Sequence, residues 1–141
     1  MKPKKFAKKK LIDTSELVNS SNKKNRKWLL CPYCDSKILP PNKGEYLEKE
    51  QNGRNLFIIF IFSMCFLGQQ QNMKYQLNQR ELLSQYWLVI DMFTFENVGF
   101  TKTVGTTKYL ICADCEIGPI GFVNLEDKSK HYVALSRVKY R

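Results

Sequence analysis

The sequence predicts a mainly β domain of short strands, and three observations carry that prediction. Apolar and aromatic residues gather in short runs, each bounded by Gly, Pro, Asn or Asp, as half-buried strands and their turns do. The regular alternation of strand and long helix that marks a parallel βαβ chain is missing. Two cysteine pairs, Cys31/Cys34 and Cys112/Cys115, share one C-x-x-C spacing and have strand-like residues on both sides. At 141 residues the chain fits a single domain with a modest core. Its 43% apolar content, with nine Phe, seven Tyr and two Trp, argues against global disorder.

Taken in order, residues 1–26 read as a flexible Lys-rich tail, with at most a short helix over 11–18. The first 30 residues hold ten Lys/Arg against Asp13 and Glu16, whereas the remaining 111 hold thirteen against eleven acids. The net charge of +10 is therefore a property of the start, and the domain over 27–141 is nearly neutral. That counts against a specific nucleic-acid partner, which needs a basic face on folded structure. The opening lysines are not followed by an apolar core, so no signal peptide is expected.

"KWLLCPYCDSKIL" reads as strand, cysteine turn and strand, with Pro32 stiffening the turn and Pro40-Pro41 ending the second strand. Residues 46–54 are polar and give no clear pattern. An atypical apolar insert comes next at about 55–72, where an apolar run spans Leu56 to Leu67 with Ser63 inside it. At twelve residues it falls short of the about 20 that a membrane helix needs, so no membrane span is expected. Leu77, Leu82 and Leu83 suit a short helix before "YWLVI", a strand. "TTKYLIC" is a strand entering the second cysteine pair, "EIGPIGFVNL" turns at Gly118-Pro119 into another, and "HYVALSRVKY" closes the chain as a strand.

The four paired thiols are the strongest chemical signal. In each C-x-x-C a tight turn returns the second sulfur toward the first, so that both point at one ion. Two such turns together supply the four tetrahedral sulfurs that zinc takes in closed structural sites. One pair alone would also suit thioredoxin-like redox chemistry; two pairs flanked by strands favour Zn2+ on Cys31, Cys34, Cys112 and Cys115. Such cysteine usage points to a reducing, cytoplasmic setting. Cys65 lies inside the apolar run and reads as a small buried hydrophobe.

Catalytic constellations are not evident. His131, the lone histidine, reads as a surface residue at a strand start. There is no Gly-rich phosphate loop, and nothing fixes the separation of Asp91 and Glu96. Between 91 and 102, aromatics alternate with polar residues. Phe93 and Phe95 stand two apart and read as core, whereas Phe100 leaves the bend at Gly99 and suits an interface anchor as readily as the core.

"WLVIDMFTFENVGFTKTVG" at 87–105, with "YLICADCEIGPIGF" and "YVALSRV", resembles the Rab-interacting factor (RABIF) family over residues 27–40 and 84–138. The resemblance implies an irregular stack of antiparallel sheets, the β-tent, stapled by one zinc on the four cysteines already named. It implies a factor that acts by binding and has no catalytic residues: it engages nucleotide-free Rab GTPases of the secretory pathway, promotes slow GDP release and stabilises the empty form. The implied partner surface comprises Glu96, Asn97, Val98, Gly99, Phe100 and Asp114, on a protein expected to be monomeric when free. Two alternatives stand beside it. A methionine sulfoxide reductase-like β-tent enzyme would need a reactive cysteine beyond the metal ligands, yet Cys115 is the last in the chain. A zinc-ribbon nucleic-acid-binding module has only the tail charge in its favour. The chain departs from the family in its Lys-rich start and in carrying an apolar run where a polar loop is usual.

That departure gives a prediction. Lengthening or shortening a loop changes closure entropy by only about 0.6 kcal/mol per doubling, whereas an exposed apolar run promotes aggregation. Deleting residues 55–72 should leave the thermal midpoint unchanged and raise solubility; loss of cooperative melting would show that the run is core.

Overall fold

Nine short strands form two sheets in the described residues, 11–48, 84–101, 103 and 105–141 of a computed structural model. The smaller sheet joins β1 (Leu29–Leu30), β2 (Lys37–Leu39) and β9 (Lys139–Tyr140) in the order β2-β1-β9. The larger holds β3 (Glu45–Glu48), β4 (Gln85–Val89), β5 (Val98–Phe100), β6 (Thr107–Cys112), β7 (Gly121–Asn124) and β8 (His131–Ala134), in the order β3-β4-β8-β7-β6-β5. Every pairing is antiparallel. The mainly β, antiparallel and irregular architecture expected from the sequence is what forms, and the large sheet stays open, with β3 and β5 at its edges.

Strand geometry explains where the core lies. Successive side chains point to opposite faces, so Trp87, Leu110 and Val133 face the small sheet while Tyr86, Tyr109 and Tyr132 face away. The first set packs with Leu29, Ile38 and Leu39 of the small sheet into one cluster between the layers. The second forms a separate aromatic cluster with Phe122 and Ala134, in which Phe122 stacks on Tyr132 at 5.0 Å and Tyr86 meets both rings edge-on. Both faces of the central strands are thus buried, which is why polar and apolar residues do not alternate there. Trp87 also ties the layers by a polar contact: its Nε1 donates to Tyr140 Oη at 3.0 Å, and that hydroxyl donates to the Leu135 carbonyl at 2.9 Å. At Gly121 a Cβ would lie 2.0 Å from the Tyr132 carbonyl oxygen, so β7 can approach β8 this closely only with glycine there.

The structure corrects the expectations from sequence at four points. The domain does not begin at residue 27. Leu17 is buried in the main cluster, and Gln85 exchanges hydrogen bonds with the backbone of Ile12 at 2.9 and 3.0 Å. Residues 14–18 make a single turn, with the amides of Leu17 and Val18 both donating to the Thr14 carbonyl. Residues 46–48, expected to belong to a polar stretch without pattern, form β3 with Glu45, an edge strand in which Tyr46 and Leu47 are half-buried between exposed glutamates. The closing strand is broken by a 3-10 turn at Leu135–Arg137. Finally, His131 is 4% exposed, since it sits in the middle of a sheet covered on both sides. The apolar run, Cys65 and the leucines at 77, 82 and 83 lie outside the described residues. Among the described residues, no helix is long and apolar enough to cross a membrane.

Asn25, expected in the tail, is a polar pin at the start of the small sheet. It is 1% exposed. Its Nδ2 donates to the carbonyls of Lys27 and Pro40, each at 2.9 Å, and its Oδ1 accepts from the amides of Lys43 at 3.0 Å and Gly44 at 2.8 Å. All four of its hydrogen-bonding positions are filled, so one side chain closes the loops before β1 and before β3. Removing it strands buried backbone groups, each worth about 1–3 kcal/mol when unsatisfied. Asn25→Ala should therefore lower stability by roughly 3 kcal/mol or more in denaturant titration; a change under about 1 kcal/mol would show that water substitutes freely.

Candidate functional site

Each cysteine pair sits in a turn of the same design. The Asp35 amide donates to the Cys31 carbonyl at 3.0 Å and the Cys31 amide to the Ser36 carbonyl at 2.8 Å. In the second turn the Glu116 amide donates to the Cys112 carbonyl at 2.9 Å and the Cys112 amide to the Ile117 carbonyl at 3.3 Å. The residue after each pair is left-handed, with φ of 60° at Asp35 and 57° at Glu116. Two knuckles of identical hydrogen-bonding frame thus project their sulfurs in the same way, one from the small sheet and one from the end of β6.

The sulfurs converge. Cys31 and Cys115 Sγ lie 3.6 Å apart, as do Cys34 and Cys112 Sγ, and all four atoms fall within 4.8 Å of one another. A tetrahedron with metal–sulfur bonds of about 2.3 Å has sulfur–sulfur edges of about 3.8 Å, so the spacing fits zinc and is far too long for disulfides. Cys31 and Cys112 are buried, Cys115 is half-buried and Cys34 is exposed. Burial pushes the Cys31, Cys112 and Cys115 thiols up, while the Ser36 hydroxyl and amide bring Cys34 down to about 7. A dication resolves this conflict between burial and charge by taking all four as thiolates. The donor set is that of a closed structural Zn2+ site, with every coordination position filled by protein.

Around the metal site the two knuckles are also linked directly, because Ser36 Oγ donates to Asp114 Oδ2. Asp114 is exposed, and this bond, rather than a cap on its own turn, occupies its carboxylate. An ion pair of 3.0 Å from Lys139 to Asp35 holds the first knuckle to β9.

The segment between β4 and β6 is lashed to both sheets. Asp91 caps a 3-10 turn at Met92–Thr94 by accepting from the Phe93 amide at 2.9 Å. The turn throws Ile90, Met92 and Phe93 outward, and Phe93 is 86% exposed. Phe95 then turns inward against the main cluster. The Glu96 amide donates to the Ile38 carbonyl at 2.8 Å, and Asn97 Nδ2 to the Lys37 carbonyl at 3.1 Å, both in β2. Asn97, with φ of 50°, accepts at its carbonyl from the Ala113 amide at 2.7 Å, next to Asp114. Val98, Gly99 and Phe100 form the edge strand β5, registered on Cys112, Ile111 and Leu110 of β6. The sequence-expected residues Glu96, Asn97, Val98, Gly99, Phe100 and Asp114 are therefore neighbours around the second knuckle.

One aromatic assignment is overturned. Phe93, expected in the core, stands in solvent; Phe100 is half-buried against the core and meets the His131 ring edge-on at 6.1 Å. The signal that would have found Phe93 is Asp91 followed two and three residues later by Phe93 and Thr94, a local capping pattern that breaks strand alternation.

Comparison with known proteins places these features in context. The family model described as Mss4 protein matches residues 24–140. Over 130 residues the chain is 35% identical to the "Guanine nucleotide exchange factor MSS4 homolog" of Drosophila melanogaster, covering 92% of this chain and 94% of that protein. Over 51 residues it is 39% identical to the protein of the same description from Schizosaccharomyces pombe, covering 36% of this chain and 49% of that one.

The metal site yields its own prediction. Elemental analysis of native protein should find one zinc per chain, and Cys112→Ser should abolish tight binding together with cooperative melting. Because three of the thiols are held up by burial, zinc binding must displace their protons, so apparent affinity should fall steadily as pH is lowered through the neutral range. Native protein with no tightly held zinc, or with pH-independent affinity, would overturn the assignment.

Proposed function

The chain belongs to the Mss4 family, and on that premise we propose that it binds Rab-family GTPases of the secretory pathway, preferentially without nucleotide, and promotes slow release of GDP. It acts by differential affinity. By linkage, a factor that binds the empty GTPase tenfold more tightly than the GDP-bound form weakens GDP by the same tenfold, or about 1.4 kcal/mol. No covalent step is needed, and the closed four-sulfur site serves to hold the protein surface in shape.

The observation that carries this reading is the exposure of Phe93 on a capped turn beside Ile90, Met92 and an acidic rim. Large aromatic side chains so open to water commonly mark a partner surface, and they supply most of the binding energy when buried there. Glu96, Asn97, Val98, Gly99 and Phe100 form the frame behind this apolar tip, and Asp114 supplies a carboxylate on the adjoining knuckle. Because backbone hydrogen bonds to β2 and to Ala113 already order the segment, little conformational freedom is lost on docking. The surface suits a partner that presents apolar residues next to a basic group near its emptied nucleotide pocket.

The test uses Rab GTPases stripped of nucleotide with EDTA. Phe93→Ala should weaken binding by at least about 2 kcal/mol, roughly thirtyfold. Asp114→Ala and Phe100→Ala should weaken it as well, and all three should slow stimulated release of fluorescent GDP while retaining zinc. Lys128→Ala, in an exposed polar turn, is the control. Wild-type affinity for every Rab tested in both Phe93→Ala and Asp114→Ala would move the partner surface elsewhere.

A further inference from the structure

We infer that Ser36 is a positioning residue for the partner-facing carboxylate of Asp114, an inference that rests on the function proposed above. The two residues lie 78 positions apart and on different knuckles, yet Ser36 Oγ donates directly to Asp114 Oδ2. Neither sheet alone would place them together. Ser36 is half-buried and its backbone is fixed, since its carbonyl accepts from the Cys31 amide at 2.8 Å. The donor is thus a rigid point on the first knuckle, and the acceptor is an exposed side chain on the second.

Asp114 has only its own turn to restrain it otherwise. An exposed aspartate samples several rotamers, and a partner that engages one of them must first exclude the rest. A charge-assisted bond from a fixed hydroxyl selects the rotamer beforehand and leaves the second carboxylate oxygen, Oδ1, free to meet an incoming cation or backbone amide. Cys34 adds a further constraint. As a thiol its Sγ donates to Ser36 Oγ at 3.2 Å, which leaves the single serine proton for Asp114. As a metal-ligating thiolate Cys34 can only accept, so sulfur and carboxylate then share that one proton. Ser36 stands between the metal site and the docking surface in both cases, and it touches the partner in neither.

The experiment combines binding with a measurement that needs no partner. Ser36→Ala should keep one zinc per chain and the wild-type melting midpoint, yet weaken binding to nucleotide-free Rab by about fivefold, in line with a single charge-assisted bond at the surface. Ser36→Thr, which keeps the hydroxyl, should restore affinity. In double-mutant cycles Ser36→Ala should have no further effect on top of Asp114→Ala, but should add in full to Phe93→Ala. Separately, three-bond couplings in isotopically labelled protein should show one Asp114 χ1 rotamer in the native chain and averaged rotamers in Ser36→Ala. Averaging in the mutant supports the positioning role even if Asp114→Ala leaves affinity unchanged, an outcome that would sink the partner assignment of Asp114 instead. An Asp114 rotamer distribution identical in native and Ser36→Ala protein, or full additivity of Ser36→Ala with Asp114→Ala, would overturn the inference.

Discussion

The convergence of four sulfurs from two sheets is the constraint on which the rest of the structure depends. Cys31 meets Cys115 across 84 positions and Cys34 meets Cys112 across 78, so the metal site closes long loops between the two sheets. The strand that ends at Cys112 belongs to the large sheet, and the knuckle at Cys31 joins β1 to β2 of the small one. Closing the site brings Leu29, Ile38 and Leu39 over Trp87, Leu110 and Val133, which creates the core between the layers. The magnitudes explain the dependence. Structural zinc contributes about 10–16 kcal/mol of apparent binding free energy in small zinc-binding peptides, whereas a domain of ordinary size is stable by about 5–15 kcal/mol in total. Metal occupancy and folding are therefore terms of equal size. Polar contacts supply alignment within that frame: Asn25 closes the loops flanking the small sheet, and the Trp87 to Tyr140 hydrogen bond sets one layer against the other.

How much could be read from the sequence depends on how locally each feature is determined. The metal ligands were legible because a C-x-x-C turn places its sulfurs whatever surrounds it, and the two knuckles indeed share one hydrogen-bonding frame. Strands β4, β6 and β7 were legible from runs of apolar and aromatic residues. The expected partner residues Glu96 to Phe100 and Asp114 follow only from a family resemblance, and the hydrogen bond from Ala113 to Asn97 gives the proximity of the two segments a physical cause. The misses share one origin, that burial is decided by distant partners. Asn25 looks like any polar tail residue until the backbone groups of Lys27, Pro40, Lys43 and Gly44 surround it. His131 looks exposed until β4 and β7 flank it and Phe95 and Phe100 pack on its ring. Phe93 and Phe95 obey strand spacing, yet the Asp91 cap coils the chain between them and sends one ring out and the other in.

Charge placement bears on how such a surface is found by its partner. Residues 91–116, which contain the apolar tip, the edge strand β5 and the second knuckle, hold four acids against two lysines, whereas residues 1–30 hold ten Lys/Arg against two acids. A basic protein therefore carries its proposed docking residues in an acidic stretch. The exposed carboxylates of Glu96 and Asp114 attract a basic patch on an approaching molecule. Such steering acts mainly on the association rate and fades beyond about 8 Å at physiological ionic strength. On the proposed surface, residence is set after contact by the burial of Phe93 and its apolar neighbours, which is short-ranged and insensitive to salt. The division suits a factor that must release its partner once nucleotide returns. On this proposal encounter depends on charge, and the lifetime of the complex on apolar fit that can differ between the empty and the loaded form of the partner.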